Sequence, residues 1–303
     1  MSSSKRGLGL AAIVFFVLLG IYESSLGARW GIAAERRIAG LERQELQVGA
    51  DHWVWLEGGS GETAILLHGF GGDKDNWTRF AGHLHMHVII PDLPGFGENT
   101  RDWERSYDIA AQVERLRAFI EARDIRHFHL AGNSMGGHLC VAYAALHPER
   151  VESLVLIDPA GVVSPHESEL SRVTAQGQNP LIVRSTEGFD ALIDFVFAVP
   201  PFIPTPVRRY FAERAMANAS FNQKVFTDYK AHGLPLEPIL PHIQQRTMVM
   251  WGDTDRVIDP SAADVFMTAL PHATKVLMKN CGHSPMLERP QETAEIYDRF
   301  VKE

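Results

Sequence analysis

A chain of 303 residues is long enough for one large domain, or for a domain of roughly 250 residues with an appendage. Hydrophobic residues at 45% and charged residues at 22% are ordinary globular usage, which excludes a disordered or fibrous chain. With 29 lysines and arginines against 37 acids, the net charge of -8 lacks the basic footprint of a nucleic-acid binder, and two cysteines, Cys140 and Cys281, exclude a disulfide framework or a cysteine-rich zinc site.

The apolar residues are unevenly spread. After Lys5 and Arg6 the chain runs without charge from Gly7 to Tyr22, and extension to Ala28 adds only Glu23. As a helix the charge-free run would span about 24 Å, short of a hydrocarbon core of about 30 Å, and the longer stretch would cross it. Three readings compete. A cleaved signal peptide fits the basic start and the small-x-small site Ser25-Leu26-Gly27. A buried core helix is the bland alternative. A single-pass membrane anchor over about residues 7–28 fits the length and the lack of any polar face, and it is the reading preferred here. Lys5 and Arg6 favour a cytoplasmic N-terminus, which would put the rest of the chain outside the cytoplasm. Arg29, Arg36 and Arg37 on the other flank weaken that orientation. Residues 29–45 are charged and helix-prone and read as a linker or stalk.

From about residue 46 to residue 303 short apolar runs alternate with amphipathic helical patterns. His52–Leu56 alternates like a strand, and Thr63–Leu67, His87–Pro91, Phe128–Ala131, Leu154–Ile157, Thr247–Trp251 and Lys275–Met278 read as buried strands. Helical patterns cover Tyr107–Ala122, Met135–Leu146, Ser261–Leu270 and Gln291–Val301. Such alternation predicts an α/β fold with a mostly parallel central sheet and helices on both faces. Over about residues 161–245 it lapses into a proline-rich stretch whose spacing predicts several short helices, an inserted cap.

Gly132-Asn133-Ser134-Met135-Gly136 follows a predicted strand and opens a predicted helix. That is G-x-S-x-G in the context that gives it meaning, a tight turn holding a serine hydroxyl at the head of a helix. A serine is a weak nucleophile at neutral pH and needs a base. Among the histidines His283 stands out, because its loop follows the last predicted strand and can reach the sheet edge that carries Ser134. Asp255, after the strand Thr247–Trp251, is the choice for the acid that orients the imidazole; Asp158, at the end of an earlier strand, is its competitor. Ser134…Asp255…His283 is the nucleophile–acid–base order of α/β hydrolases. The loop His68–Gly72 can aim a backbone N–H at a developing oxyanion, so Phe70 N–H and Met135 N–H are the expected pair. His68 reads as a structural residue of that loop, and GFGGDK lacks the ending of a phosphate loop.

The segments HGFGG (68–72), PDLPGFG (91–97), GNSMGG, DPAG (158–161), WGDTDRVID and NCGHSPMLERP resemble the α/β-hydrolase superfamily. They are especially similar to its membrane-anchored monoacylglycerol-lipase and bacterial-lipase branch, over about residues 45–303 and least so in the cap. The resemblance implies a carboxylic ester hydrolase with Ser134 as nucleophile, Asp255 as acid, His283 as base, and Phe70 and Met135 as oxyanion donors. It implies no metal or cofactor, a structural place for Asp92, and a small acyl ester such as a monoacylglycerol as substrate. The apolar cap is consistent with an acyl pocket, for which Phe195 and Phe202 are candidates, although such residues could equally form the cap's own core. Two other reactions share this framework. Carbon–carbon bond hydrolases share the GNSMGG sequence but usually carry tryptophan after the histidine, where this chain has Ser284; serine perhydrolases use the same triad. A non-catalytic binding protein fits poorly with a complete triad.

Overall fold

In the computed structural model, residues 24–303 are described. The apolar run at 7–22, and with it most of the expected anchor, lies outside the described residues. Among the described residues no helix is long and apolar enough to cross a membrane.

Eight strands form one sheet: β1 (Leu41–Val48), β2 (Asp51–Gly58), β3 (Thr63–Leu67), β4 (His87–Pro91), β5 (Phe128–Asn133), β6 (Val151–Ile157), β7 (Arg246–Gly252) and β8 (Thr274–Met278). Their order across the sheet is β1-β2-β4-β3-β5-β6-β7-β8. The pairs β1–β2 and β2–β4 are antiparallel, and from β4 to β8 every pair is parallel. From β3 the chain goes first to one side, β4, and then to the other, β5. The loops after β3 and β5 therefore diverge over the carboxyl edge and leave a crevice between them.

The alternation read from the sequence is realised as two cores. Ile65, Leu67, Leu130, Leu154, Leu156, Val249 and Trp251 face one side of the sheet. Ala64, Leu66, Ala131, Val155, Ile157, Met248 and Met250 face the other. Helix α3 (Ile109–Ala122) and helix α4 (Met135–Leu146) cover the first face, with Leu116, Phe119 and Leu139 buried there. The short α2 (Thr78–Ala81) and the C-terminal α11 (Pro290–Lys302) cover the second through Phe80, Tyr297 and Phe300. Each fully buried leucine of this kind contributes about 1.5–3 kcal/mol of transfer free energy.

The N-terminal part of this structure differs from the expected linker. Helix α1 (Ser25–Ile38), capped by the Ser24 side chain, lies on the body with Ala28 and Ile32 buried. Arg36 makes two hydrogen bonds of 2.6 Å to the Asp75 carboxylate. By Leu41 the chain is already strand β1, an edge strand whose outward residues are charged, which is why it did not read as apolar sheet.

The cap holds α5 (Glu169–Ala175), α6 (Thr186–Val196), α7 (Thr205–Ala217) and α8 (Ala219–Ala231). Val183, Phe189, Ile193, Phe197 and Ala212 make a small core of its own. Beyond the cap, α9 (Ala262–Ala269) and the single turn α10 (Pro285–Glu288) complete the helices.

Candidate active site

Ser134 stands between β5 and α4 with φ 56° and ψ -119°, a conformation that L residues rarely adopt. Its N–H donates to Ile157 O at 3.0 Å, and its carbonyl accepts the N–H groups of His138 and Ala160, each at 3.0 Å. These bonds hold the strained turn in place. The flanking glycines are required by space: a Cβ on Gly136 would strike the Leu67 and His68 carbonyls, and one on Gly132 would strike Gly136 itself.

Asp255 and His283 arrive on the loops after β7 and β8. Asp255 Oδ2 accepts from His283 Nδ1 at 2.7 Å, and Oδ1 accepts the Val257 and Ile258 N–H groups at 2.7 and 3.1 Å. A carboxylate acceptor fixes the proton on Nδ1 and leaves Nε2 of the neutral ring able to act as a base. The Asn133 amide joins this pair to the nucleophile's strand, donating to His283 O at 2.9 Å and to Ile157 O at 3.1 Å.

The loop after β3 passes directly over the serine. A Cβ on Gly69 would lie 3.1 Å from Ser134 Cβ, so glycine is what lets the backbone come this close. The Phe70 and Met135 N–H groups meet no protein acceptor among the described residues. His68 holds the loop as expected: Nδ1 donates to Gly69 O at 2.8 Å and Nε2 accepts the Leu93 N–H at 2.9 Å. Burial pushes its pKa down, which keeps it neutral. Asp92 is structural too, receiving the buried Lys74 ammonium at 2.9 Å and the Lys74 and Glu98 N–H groups. Burial raises the Glu98 carboxyl, but Lys74 and Arg43 outweigh it and bring the pKa down to about 2.

Ser134, Asp255, His283, Phe70 and Met135 thus lie on the loops and helix start at one edge of the sheet. The family model described as "Alpha/beta hydrolase family" matches residues 64–296. The chain belongs to the α/β-hydrolase family. Within it this hydrolase is similar to Lipase 1 of Psychrobacter immobilis, with 37% identity over 89% of this chain and 87% of the lipase. It is 32% identical to monoacylglycerol lipase abhd6-B of Xenopus laevis, over 80% and 76% of the two chains. Among solved structures it is similar to a membrane phospholipase A described as a bacterial virulence factor. That match has a TM-score of 0.91 and 44% identity, covering 98% of each chain. The hydrolase is an ester-hydrolysing lipase.

The two pocket candidates fare differently from the triad. Phe195 is buried beneath the Arg256 guanidinium, 4.9 Å from its ring. Phe202 is 81% exposed, with its carbonyl accepting from Arg79. The aromatic rings set against the loop after β3 are Phe96 and Phe226, packed edge-on to Phe70 at 5.6 and 5.5 Å. Phe96 sits in PDLPGFG and was visible as motif; Phe226 comes from the cap and carried no signal.

Two further residues were missed. Asn133 had a signal, as the variable position before the serine. Glu288 had none: its carboxylate accepts the N–H groups of Gly282, Ala198 and Val199 at 3.0–3.1 Å and so ties the histidine loop to the end of α6. Both cysteines are free and buried, and burial pushes both thiols up, which makes them poor nucleophiles.

Proposed function

We propose that Ser134 is the nucleophile, His283 the general base and acid, Asp255 the group that orients His283, and Phe70 and Met135 N–H the oxyanion donors. The substrate is a monoacylglycerol or a similar acyl ester taken from a lipid surface. The 2.7 Å bond between Asp255 Oδ2 and His283 Nδ1, joined through Asn133 to the serine turn, is the observation that carries this reading.

His283 Nε2 takes the Ser134 proton as Oγ attacks the ester carbonyl, and the oxyanion forms against the two N–H groups. The intermediate collapses with breakage of the ester C–O bond, and the proton on Nε2 goes to the departing alcohol. Water then attacks the acyl-serine, again giving its proton to Nε2, and that proton returns to Ser134 Oγ as the fatty acid leaves. None of these steps calls for a metal or a cofactor.

The hydrolase is further read as anchored by a single N-terminal span at about residues 7–28, with the catalytic domain on the extracytoplasmic side. Its charge-free run and basic start support this, and so do Leu26 and Trp30, exposed at the start of α1 where an interface would take them up. Deletion of residues 1–28 should yield soluble, active protein. An insoluble or inactive product would favour the core-helix reading.

A panel of p-nitrophenyl esters of graded chain length, a monoacylglycerol and a dienone-type carbon–carbon substrate tests the substrate class. Turnover of the esters with the monoacylglycerol preferred is expected; turnover of the dienone alone would overturn the reading.

A further inference from the structure

A second carboxyl lies beside the triad. Asp158 follows β6 with φ 45° and is fully buried. Its N–H donates to Met250 O at 2.9 Å and its Oδ1 accepts the Gly252 N–H at 2.9 Å, which leaves Oδ2 buried with no hydrogen-bond partner among the described residues. One oxygen of Asp158, one of Asp255 and a ring nitrogen of His283 all lie within 4.8 Å of one another. An ionised carboxyl is acceptor-only and offers about four lone-pair sites. Asp255 fills three of them with the N–H groups of Val257, Ile258 and His283. Two carboxylates this close and this dry cannot both stay charged.

We propose that Asp158 is a positioning residue that carries a proton and donates its O–H to the Asp255 carboxylate, filling the last acceptor site of the group that orients His283. This deepens the triad reading above and rests on it. The groups facing Asp158 are Asp255 and His283 from the loops after β7 and β8, with Glu288 and the Cys281 thiol farther off. Asp255 and Glu288 oppose a negative charge there. Burial first, and then Asp255, raise the Asp158 carboxyl well above the usual carboxylate range. The shared proton leaves Asp255 ionised and doubly held, so it stays fixed in the plane the imidazole needs.

The test compares Asp158→Ala and Asp158→Asn in the full-length enzyme. Asparagine suits a left-handed backbone position, can accept from Gly252 N–H and can donate from Nδ2, so it mimics the protonated acid. Asp158→Ala is expected to lower kcat/KM by about 10- to 100-fold and to raise the acid limb of its pH profile by about one unit, because an undersupplied Asp255 favours protonation of the base. Asp158→Asn should recover activity to within about three-fold of wild type, with the acid limb in place. Equal damage in both variants, wild-type activity in Asp158→Ala, or an acid limb lowered by about one unit in Asp158→Asn would each overturn the proposal. The last would mean that a charge had been removed.

Thermal unfolding adds a readout free of turnover. A carboxyl raised on folding contributes stability that is complete below its unfolded value of about 4 and is lost as pH rises toward the folded value. The Tm of Asp158→Asn relative to wild type should therefore climb between about pH 5 and about pH 8; a flat difference would contradict a neutral Asp158. Failure of this readout would strike the carboxyl pair alone, whereas failure of the triad itself would show as an active Asp255→Asn enzyme.

Discussion

Ile65 and Leu66 are neighbours in β3 yet belong to opposite cores, whereas Phe189, Ile193 and Phe197 all turn into the one small core that the cap makes for itself. The sheet positions its loops through strands buried on both faces, and its catalytic side chains are fixed by short bonds between loops. The cap is joined to that frame by the apolar side of α8, where Phe221 and Val225 enter the sheet core and Phe226 meets Phe70. Polar ties add to this, including Glu288 at the end of α6, Arg256 with Glu169, Arg214 with Asp73, and His138 beneath Tyr229 and Leu234. The difference teaches that the residues proposed for catalysis all stand on the sheet edge, while the cap keeps a core of its own and lays one apolar side against that edge.

The largest expected effect lies at the sheet edge. Asp255→Asn should lower kcat by about 1,000- to 10,000-fold with the fold intact by circular dichroism. Activity near wild type would move the acid role to Asp158. At the joint, Glu288→Ala leaves the N–H groups of Gly282, Ala198 and Val199 without their acceptor. Stability should fall by about 1–3 kcal/mol, and kcat/KM about ten-fold as the histidine loop loosens. Unfolding and steady-state assays check both, and a stability loss with normal turnover would make Glu288 a cap residue only.

Within the cap, Phe189→Ala should raise amide exchange across Thr186–Val196 while Val151–Ile157 keeps its protection. A uniform loss across both would mean that the two regions unfold as one unit. The smallest effect concerns His138, whose Nε2 donates to Leu234 O at 2.7 Å and whose Nδ1 accepts from Tyr229 at 2.9 Å. Burial lowers its pKa to about 4. A histidine depressed on folding contributes stability that is full above its unfolded value of about 6.5 and is lost as pH falls toward the folded one. Wild type should therefore lose Tm between pH 6.5 and 4 more steeply than His138→Asn, and parallel curves would contradict a neutral His138 in the folded state.

What the chain made legible follows the same division. The strands β3, β4 and β5 announced themselves because parallel strands buried on both faces read as continuous apolar runs such as TAILL and HVIIP. Ser134 and Asp255 were legible because each follows such a run with glycine marking the turn. His283 was legible instead from its Gly-His-Ser-Pro loop before the last helix, since the expected buried strand Lys275–Met278 is an edge strand exposed over most of its length. Strand β1 was hidden by its charged outward face, and α1 read as a stalk because only Ala28 and Ile32 of its residues are buried. In the cap the composition foretold helices but not which faces they turn inward, so Phe195 and Phe202 read like pocket residues while Phe226 did not. The ties of Glu288 and the place of Asp158 beside Asp255 and His283 depend on chain segments far apart in sequence, which no local pattern records.

The central claim is that one serine on a strained turn does the chemistry. A fluorophosphonate probe incubated with wild type and Ser134→Ala tests it most directly. Labelling of wild type, abolished in Ser134→Ala while the Tm is retained, is the expected result. Labelling that survives the substitution would place the nucleophile elsewhere and contradict the account.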